Sequence, residues 1–158
     1  MFAEVARRHP AVQAKAVYVD ALAMDLVRQP EAYDVIVTNN LFGDILTDLG
    51  AALTGGLGIA ASGNIHPGRV SLFEPVHGSA PDIAGQGKAN PLAMVLCGAL
   101  MLEHLGHRRE AELLNRSVEE QVQKGAHTPD FSPLLGGPAA TTEQVGSELL
   151  ARVEEALR

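Results

Sequence analysis

Residues 39–48 of the chain read NNLFGDILTD and follow the short apolar run Val35–Thr38. This pattern predicts a strand and then a helix that reaches about Leu53. Asp44 and Asp48 lie four residues apart, so a helix places their carboxylates side by side on one face. Because Mg²⁺ and Mn²⁺ prefer oxygen ligands, the two aspartates are candidate metal ligands.

The two aspartates on this helix also have an explanation that does not involve a metal. Asn39 and Asn40 are candidate N-terminal caps, and acidic residues in the turns after a cap are stabilised by the helix dipole. Leu41, Ile45 and Leu49 form a separate apolar stripe, which we expect to point into a core. The spacing of the two aspartates alone leaves both explanations open.

Composition and charge narrow the function classes. The 158 residues include 12 basic and 19 acidic ones, a net charge of −7 without a Lys/Arg cluster. This balance argues against nucleic acid or an anionic membrane as a partner. The single cysteine, Cys97, excludes an intrachain disulfide framework and fits a reducing, cytoplasmic compartment. The N-terminus lacks the apolar core of a signal peptide, and no apolar run reaches the roughly 18 residues of a membrane span.

The N-terminal third has a strand, helix, strand, helix order. Lys15–Val19 is β-prone, and the helical segment Ala21–Arg28 follows it, before the second strand and helix described above. Such an order with short connections predicts an α/β fold. Ligands in these folds gather at the carboxyl ends of strands. We therefore expect Asp20, which directly follows the first strand, to converge with Asp44 and Asp48 on one rim.

A glycine-rich stretch and a long loop come next. Gly55–Ala61 contains a formal G-x-G-x-x-A match, but a dinucleotide fingerprint needs a strand before it and a helix after it. A helix precedes it and turn-forming residues 62–68 follow, so we expect a domain-crossing loop. A strand is expected over Val70–Glu74. The following Pro75–Pro91 is long for a structureless connection, which is typical of functional loops.

The long loop has residues suited to a nucleotide. Gly78 and Gly85 allow close approach of the backbone, Ser79 and the loop amides can bind phosphate oxygens, and Asp82 can accept hydrogen bonds from a ribose diol. An ordered surface loop without a function explains these residues equally well. His77, Ser79 and Asp82 do not predict a hydrolase triad, because residues so close in sequence rarely meet its geometry.

Three helices are expected in the rest of the chain. Leu92–Leu105 is apolar nearly all round, Arg109–Lys124 is amphipathic, and Thr141 with Thr142 caps a final helix to about Leu157. A Pro/Gly-rich loop, Thr128–Ala140, precedes the last helix.

The chain resembles the β-decarboxylating hydroxyacid dehydrogenases in three motifs: VDA at 19–21, NNLFGDILTD at 39–48, and FEPVHGSAPDIAG at 73–85 with ANP at 89–91. The closest resemblance is to the isopropylmalate members, and the family also holds isocitrate, homoisocitrate and tartrate dehydrogenases. The resemblance runs through essentially the whole chain. It implies the C-terminal half of an isopropylmalate-dehydrogenase-like α/β fold, with a mixed sheet and flanking helices.

The resemblance implies a metal site shared across a homodimer. Asp44 and Asp48 of one subunit would hold Mg²⁺ or Mn²⁺, and Asp20 from the partner subunit would join that metal and contact the substrate. The substrate would be a 2-hydroxy acid, namely (2R,3S)-3-isopropylmalate, which is oxidised and decarboxylated to 4-methyl-2-oxopentanoate in leucine biosynthesis. Homoisocitrate or a tartrate- or malate-type acid is the alternative substrate.

The resemblance also implies NAD as the cofactor. The residues that would line its adenosine half are His77, Gly78, Ser79, Ala80, Pro81, Asp82, Ile83 and Asn90. Family members that use NADP tend to carry Lys and Tyr in place of Asp82 and Ile83. A carboxylate accepts from a free ribose 2′-hydroxyl and repels a 2′-phosphate, which favours NAD.

The chain departs from the family in its length. The family's base lysine and acid tyrosine are expected in a missing N-terminal half, so no catalytic residue is assigned. The lysines and tyrosines outside the matching motifs are Lys15, Lys88, Lys124, Tyr18 and Tyr33. Residues 1–54 are expected to be the remainder of the interface and metal domain, and residues 55–158 the C-terminal part of the NAD-binding domain.

The N-terminal sequence supports the interpretation that the chain is a fragment of a longer protein. Residues 2–10 are typical of the last turns of an amphipathic helix stopped by Pro10, as in a piece of a longer protein. We therefore expect the chain to be inactive alone. A non-catalytic remnant that binds a nucleotide or a metal, or an unfolded product of a split gene, is the alternative from another class.

Overall fold

Helices make up most of the regular structure in the computed structural model, which describes all 158 residues. The helices are α1 (Phe2–Arg8), α2 (Val19–Arg28), α3 (Asn40–Leu53), α4 (Leu92–His104), α5 (Arg108–Lys124), α6 (Ser132–Leu135) and α7 (Thr142–Ala156). The strands are β1 (Ala61–Asn64) and β2 (Leu72–Pro75). None of the helices is both long and apolar enough to cross a membrane.

The chain divides into an N-terminal unit, Met1–Leu49, and a C-terminal unit, Gly50–Arg158. The boundary lies inside α3, close to the 54/55 boundary expected from the sequence. The assignment of the two parts to an interface domain and an NAD-binding domain stays a prediction.

The two strands predicted in the N-terminal unit do not form. Lys15–Tyr18 and Val35–Thr38 have no strand partner, and the side chains of Val35 and Val37 are 81% and 85% exposed. A strand needs a neighbour that pairs with its N–H and C=O groups, and this unit has no second strand to offer. Helix α2 begins at Val19, so Asp20 lies in the first turn of a helix and not after a strand.

Helix α3 forms within a residue of its predicted bounds. Asn39 accepts a hydrogen bond at its side-chain Oδ1 from the backbone N–H of Phe42 (3.0 Å), which is the expected N-terminal cap. The expected apolar stripe is wrong, since Leu41 and Ile45 are 65% and 57% exposed. The N-terminal unit buries only Leu22 and Leu46 among its large apolar residues, and so small a core cannot cover a second face of the helix.

The C-terminal unit contains the only sheet. Strands β1 and β2 pair antiparallel, from Ala61 opposite Pro75 to Asn64 opposite Leu72, and α4 packs against both. The turn predicted over residues 62–68 is therefore wrong at its start, because pairing with β2 draws the weakly β-prone sequence ASGN into a strand. The α/β class is confirmed, but this chain forms an antiparallel pair and not the expected mixed sheet.

The core of the C-terminal unit lies between α4, α5 and α7. Its buried centre consists of Leu92, Val118, Val145 and Leu149. The three predicted helices form within one residue of their expected ends. Helix α7 has a complete capping box, in which Thr141 accepts from the backbone N–H of Gln144 and the Gln144 side chain accepts from the backbone N–H of Thr141. Cys97 is buried in α4, as expected for a packing residue.

Candidate functional site

A cavity of about 490 Å³ opens in the C-terminal unit. Four segments line it: residues 57–58 after α3, the loop between His77 and Asn90, Asp130 in the loop after α5, and Thr142 at the start of α7. Among the eight residues predicted to bind the cofactor, those in the lining are His77, Gly78, Ser79, Ala80, Ile83 and Asn90. Pro81 and Asp82 stand in the short 3₁₀ turn between Ala80 and Ile83, and they do not line the cavity.

The loop has an unusual backbone where it borders the cavity. Ala80 adopts a left-handed conformation (φ 43°), which is uncommon for a residue with a Cβ. Gly87 is also left-handed (φ 63°), where only glycine fits without strain. The Gln86 side chain donates to the backbone carbonyl of Asp82 (2.7 Å) and so closes the turn between them.

Helix α7 holds the far end of the loop. The backbone N–H of Thr142 donates to the carbonyl of Gly87 (2.7 Å), and its hydroxyl donates to the carbonyl of Ala89 (2.6 Å). Two nearby carbonyls of the loop are thereby fixed at the start of α7. Thr142 itself lines the cavity, although its sequence neighbourhood predicted only a helix cap.

Asn90 connects the loop to two other segments. Its side-chain oxygen accepts from the backbone N–H of Leu92 (3.0 Å), and its amide nitrogen donates to Oδ2 of Asp130 (3.0 Å). Gly58 lies directly against this pair, since a Cβ there would collide with Oδ2 of Asp130 and lie 2.9 Å from the Asn90 nitrogen. Sequence reasoning missed Asp130 and Gly58 because no spacing rule relates them to Asn90.

Hydrogen bonds around the buried side chain of Gln121 support the segment that leads to Asp130. The Gln121 side chain donates to the backbone carbonyl of Ala126 (3.1 Å) and to Glu148 (2.9 Å), and it accepts from Arg152 (3.0 Å). Glu148 also accepts from the backbone N–H of Ala126 (2.9 Å). These contacts fix the end of α5 and the start of the following loop against α7.

The same contacts perturb Glu148. The pKa of Glu148 is held below its ordinary value, first by the Ala126 N–H and then by the Gln121 amide, while partial burial acts in the opposite direction. A carboxyl group whose pKa falls on folding stabilises the protein above its unfolded-state pKa, and this stabilisation is lost as the pH falls through the folded-state pKa.

Glu148→Gln is therefore expected to destabilise the C-terminal unit near pH 7 and not in acid. We expect a loss of about 1 kcal/mol in the free energy of unfolding, kept small because the carboxylate is largely exposed. The difference from wild type should shrink as the pH falls below the ordinary range of a carboxyl group, and it should vanish once the pH is below the lowered folded-state pKa of Glu148. Urea unfolding at a series of pH values measures this, with Glu154→Gln, an exposed position on the same helix, as the control. A loss that persists unchanged in acid would contradict the role of the charge.

The predicted metal ligands Asp20, Asp44 and Asp48 are exposed, and two of them accept local hydrogen bonds. Asp20 accepts from the backbone N–H of Ala21 (2.8 Å), and Asp44 accepts from the side chain of Asn40 (2.8 Å). No group of three or more His, Cys, Asp or Glu side chains in the chain lies close enough to hold a metal. The expected convergence with Asp20 on one rim therefore does not occur within one chain, since the strands that were to present it are absent. Asp44 and Asp48 remain one helical turn apart on α3.

The N-terminal unit has one perturbed pair of titratable groups. The Tyr33 hydroxyl donates to Asp25 (2.6 Å), which lowers the pKa of Asp25 and raises the pKa of Tyr33. The bond ties α2 to the 3₁₀ turn Pro30–Ala32, and both residues are half-buried. This pair is a local structural contact.

Comparison with known proteins supports the resemblance seen in the motifs. The family described as isocitrate/isopropylmalate dehydrogenase matches residues 1–149. The 3-isopropylmalate dehydrogenase of Streptomyces avermitilis is 51% identical over 155 residues, which are 97% of this chain and 42% of that protein. The isocitrate/homoisocitrate dehydrogenase of Thermus thermophilus is 52% identical over 138 residues, 87% of this chain and 40% of that protein.

Solved structures of similar proteins support the same family assignment. The crystal structure of isocitrate dehydrogenase from Methylococcus capsulatus superposes with a TM-score of 0.88 at 45% identity, over 96% of this chain and 44% of that one. A β-decarboxylating dehydrogenase from Thermococcus kodakarensis gives a TM-score of 0.78 at 42% identity, over 98% and 44%. The chain spans less than half the length of these relatives. From its motifs, its fold and these matches, the chain belongs to the isocitrate/isopropylmalate dehydrogenase family.

Proposed function

We propose that the chain is the C-terminal part of an NAD-dependent dehydrogenase that oxidises and decarboxylates 3-isopropylmalate in leucine biosynthesis. The observation that carries this proposal is the cavity bordered by the loop between His77 and Asn90, because most of the residues implied to bind the cofactor line it together. Relatives named 3-isopropylmalate dehydrogenase, matched over 97% of the chain, support the choice of substrate. The chain contributes part of such an enzyme.

The cofactor residues have distinct roles in this proposal. Ser79 and the backbone N–H groups of the loop donate to oxygens of the ribose and phosphates, as glycine-rich loops do. Asp82 is exposed on the 3₁₀ turn beside the cavity, where its carboxylate accepts from both hydroxyls of the adenosine ribose. The same negative charge repels the 2′-phosphate of NADP, and NAD is the cofactor we propose.

The acidic residues fit a hard divalent metal. Asp44 and Asp48 offer two exposed carboxylates one turn apart, an all-oxygen donor set of the kind Mg²⁺ and Mn²⁺ take. Two ligands are too few for a closed site, and the partner subunit's Asp20 supplies a third in the homodimer that we infer. When bound, the metal polarises the hydroxyl and carboxylate oxygens of the substrate. Asp20 also contacts that substrate in this arrangement.

Homoisocitrate is the second candidate substrate. The Thermus thermophilus relative named isocitrate/homoisocitrate dehydrogenase is as similar to this chain as the isopropylmalate relatives are. The residues that select among these acids are expected in the N-terminal half of the enzyme, and the assay below therefore includes homoisocitrate.

The proposal is tested by reconstitution. The 158-residue chain alone is expected to form no NADH, because the base lysine and the acid tyrosine of the family have no match in it. Co-expression with the N-terminal half of the Streptomyces avermitilis relative is expected to give NADH formation that depends on isopropylmalate and on Mg²⁺ or Mn²⁺. The assay compares isopropylmalate, homoisocitrate, tartrate and malate, with NADP⁺ in place of NAD⁺ as the cofactor control.

Three results of the reconstitution assay would contradict parts of the proposal. Turnover by the chain alone would contradict the assignment of the proton-transfer residues to another segment. Turnover with homoisocitrate and not with isopropylmalate would contradict the proposed substrate and show that homoisocitrate is the substrate. NAD binding without turnover by the co-expressed and co-purified pair would favour a non-catalytic nucleotide-binding remnant.

A further inference from the structure

The connection between β1 and β2, residues 65–71, is closed by a histidine ring. Nδ1 of His66 accepts from the backbone N–H of Gly68 (2.9 Å). A backbone N–H can only donate, so this ring nitrogen carries no proton and the imidazole is neutral while the bond is formed. A Cβ at Gly68 would lie 2.8 Å from Nδ1, which is too close for a side chain. The bond therefore requires a glycine at position 68 and an unprotonated Nδ1 on His66.

The same connection is joined to the end of α4. The backbone N–H of His66 donates to Oγ of Ser71 (3.2 Å), and that oxygen lies 3.4 Å from Nε2 of His104. The His104 ring also packs against Phe73 of β2, with 5.5 Å between the ring centroids. On its other side, the Phe73 ring leaves little room for a side chain at Gly63 of β1. The connection, both strands and the end of α4 are thus in contact with one another.

The strand pair leads from this connection to the cavity. Its residue pairs extend from the connection at one end to Pro75 at the other. Beyond Pro75, the backbone N–H of Val76 donates to the carbonyl of Ala60 (3.0 Å), and the next residue, His77, lines the cavity. A pair of two short strands is only marginally stable, so a connection that opens also weakens the pairing of the strands.

A second proton on His66 would have no local compensation. Imidazole is the side chain that changes its charge in the mildly acidic range. The charged or titratable side chains on the elements in contact with the connection are Arg69 within it, Glu74 on β2, and Glu103 and His104 on α4. No ion pair involves His66. Protonation therefore removes the acceptor that closes the connection, and no carboxylate bonds to the new positive charge.

We propose that His66 is a pH-sensitive switch in the connection between β1 and β2. With a neutral ring the connection is closed, and the strand pair holds the start of the loop that borders the cavity. As the pH falls through the titration of His66, the bond to Gly68 is lost, the connection opens more often and the strand pair loosens with it. The bond thus stabilises the hairpin above this pH range and not below it.

Amide hydrogen exchange of the ligand-free 158-residue chain tests the proposal. The protection factors of the paired amides of β1 and β2 are expected to fall about fivefold between about pH 7.5 and about pH 5.5, the size expected for the loss of one hydrogen bond. The amides in the middle of α5 are the internal control and should keep their protection factors. The ¹⁵N–¹H signal of Gly68 should move over the same pH range as the ring signals of His66.

Three variants identify the group that titrates. His66→Asn keeps a side-chain oxygen that can accept from the N–H two residues ahead and does not titrate, so its protection factors should be the same at both pH values. His104→Gln removes the other imidazole near Ser71. His107→Asn removes an exposed imidazole at the start of α5. Both of these variants should show the fall seen in wild type.

Several results would overturn the proposal. One is a wild-type hairpin with the same protection factors at both pH values, and another is a His66→Asn chain that shows the wild-type fall. Loss of the fall in His104→Gln would assign the pH effect to that residue and overturn the role of His66. A Gly68 signal that does not follow the His66 ring would do the same, and this measurement needs no variant.

The effect on the cavity is measured separately, because it rests on the proposed cofactor role. The dissociation constant of NAD⁺ should rise more steeply in mild acid for wild type than for His66→Asn, and equal slopes would overturn the coupling between the switch and the cavity. If the chain does not bind NAD⁺ at either pH, the cofactor role fails. The exchange measurements on the ligand-free chain still decide whether His66 is a switch.

Discussion

Asp44→Asn is expected to reduce NADH formation by the reconstituted enzyme by about a hundredfold or more. The substitution keeps the shape of the side chain and an oxygen that can accept from Asn40, so α3 should fold as before. It removes the negative charge of one of the two carboxylates on the exposed face of the helix, and a metal ligand without charge binds a hard divalent cation weakly. The loss should appear as a higher Mn²⁺ concentration for half-maximal activity.

The measurement is a Mn²⁺ titration of isopropylmalate-dependent NADH formation by the co-expressed pair. Asp34→Asn is the matched control, because it removes an aspartate charge from the N-terminal unit outside the NNLFGDILTD motif and should leave the titration unchanged. If the Asp44→Asn enzyme has the Mn²⁺ requirement of wild type, the assignment of Asp44 as a metal ligand is contradicted. The assignment of the cofactor cavity would not be affected by that result.

Gln121→Ala is expected to lower the free energy of unfolding of the C-terminal unit by about 2–3 kcal/mol. The side chain of Gln121 is 0% exposed and joins three partners, so its loss leaves the Ala126 carbonyl, the Arg152 guanidinium and the Glu148 carboxylate each without one hydrogen bond. It also leaves a hole between α5 and α7, where water-sized gaps are costly.

Urea unfolding followed by helical circular dichroism measures this loss. Gln123→Ala is the control on the same helix, since Gln123 is exposed and bonds only to Glu119 one turn away, and it should change stability by less than about 0.5 kcal/mol. Equal effects of the two substitutions would mean that the hydrogen bonds around Gln121 contribute little to stability.

The elements that depend on local pattern were predictable from the sequence. Helices α4, α5 and α7 form within a residue of their expected ends, because apolar periodicity and caps act over a few residues. The strands of the N-terminal unit and β1 were not predictable, because pairing decides them. The β-prone segments at 15–19 and 35–38 find no partner, while the weakly β-prone Ala61–Asn64 becomes a strand opposite β2.

The residues of the candidate site also fall into those that a local motif predicts and those that depend on tertiary contacts. The loop between His77 and Asn90 could be recognised from its motif, and the cavity does form against it. Asp130 and Thr142 were missed because they reach the loop from 40 and 53 residues away, and no local pattern predicts such contacts. Asp44 and Asp48 stay side by side as helical spacing requires, but Asp20 does not join them within one chain, because its position depends on tertiary structure that the sequence pattern did not predict.

The two hydrogen bonds from Thr142 to the carbonyls of Gly87 and Ala89 bear on how this family can be recombined. They place both sides of one cavity on segments far apart in sequence, so a crossover anywhere between residues 90 and 142 inherits the loop from one parent and its anchor from the other. Chimeras with crossovers in that interval inherit mismatched pockets unless both parents share the contact. Crossovers before residue 57 keep the whole lining of the cavity from a single parent.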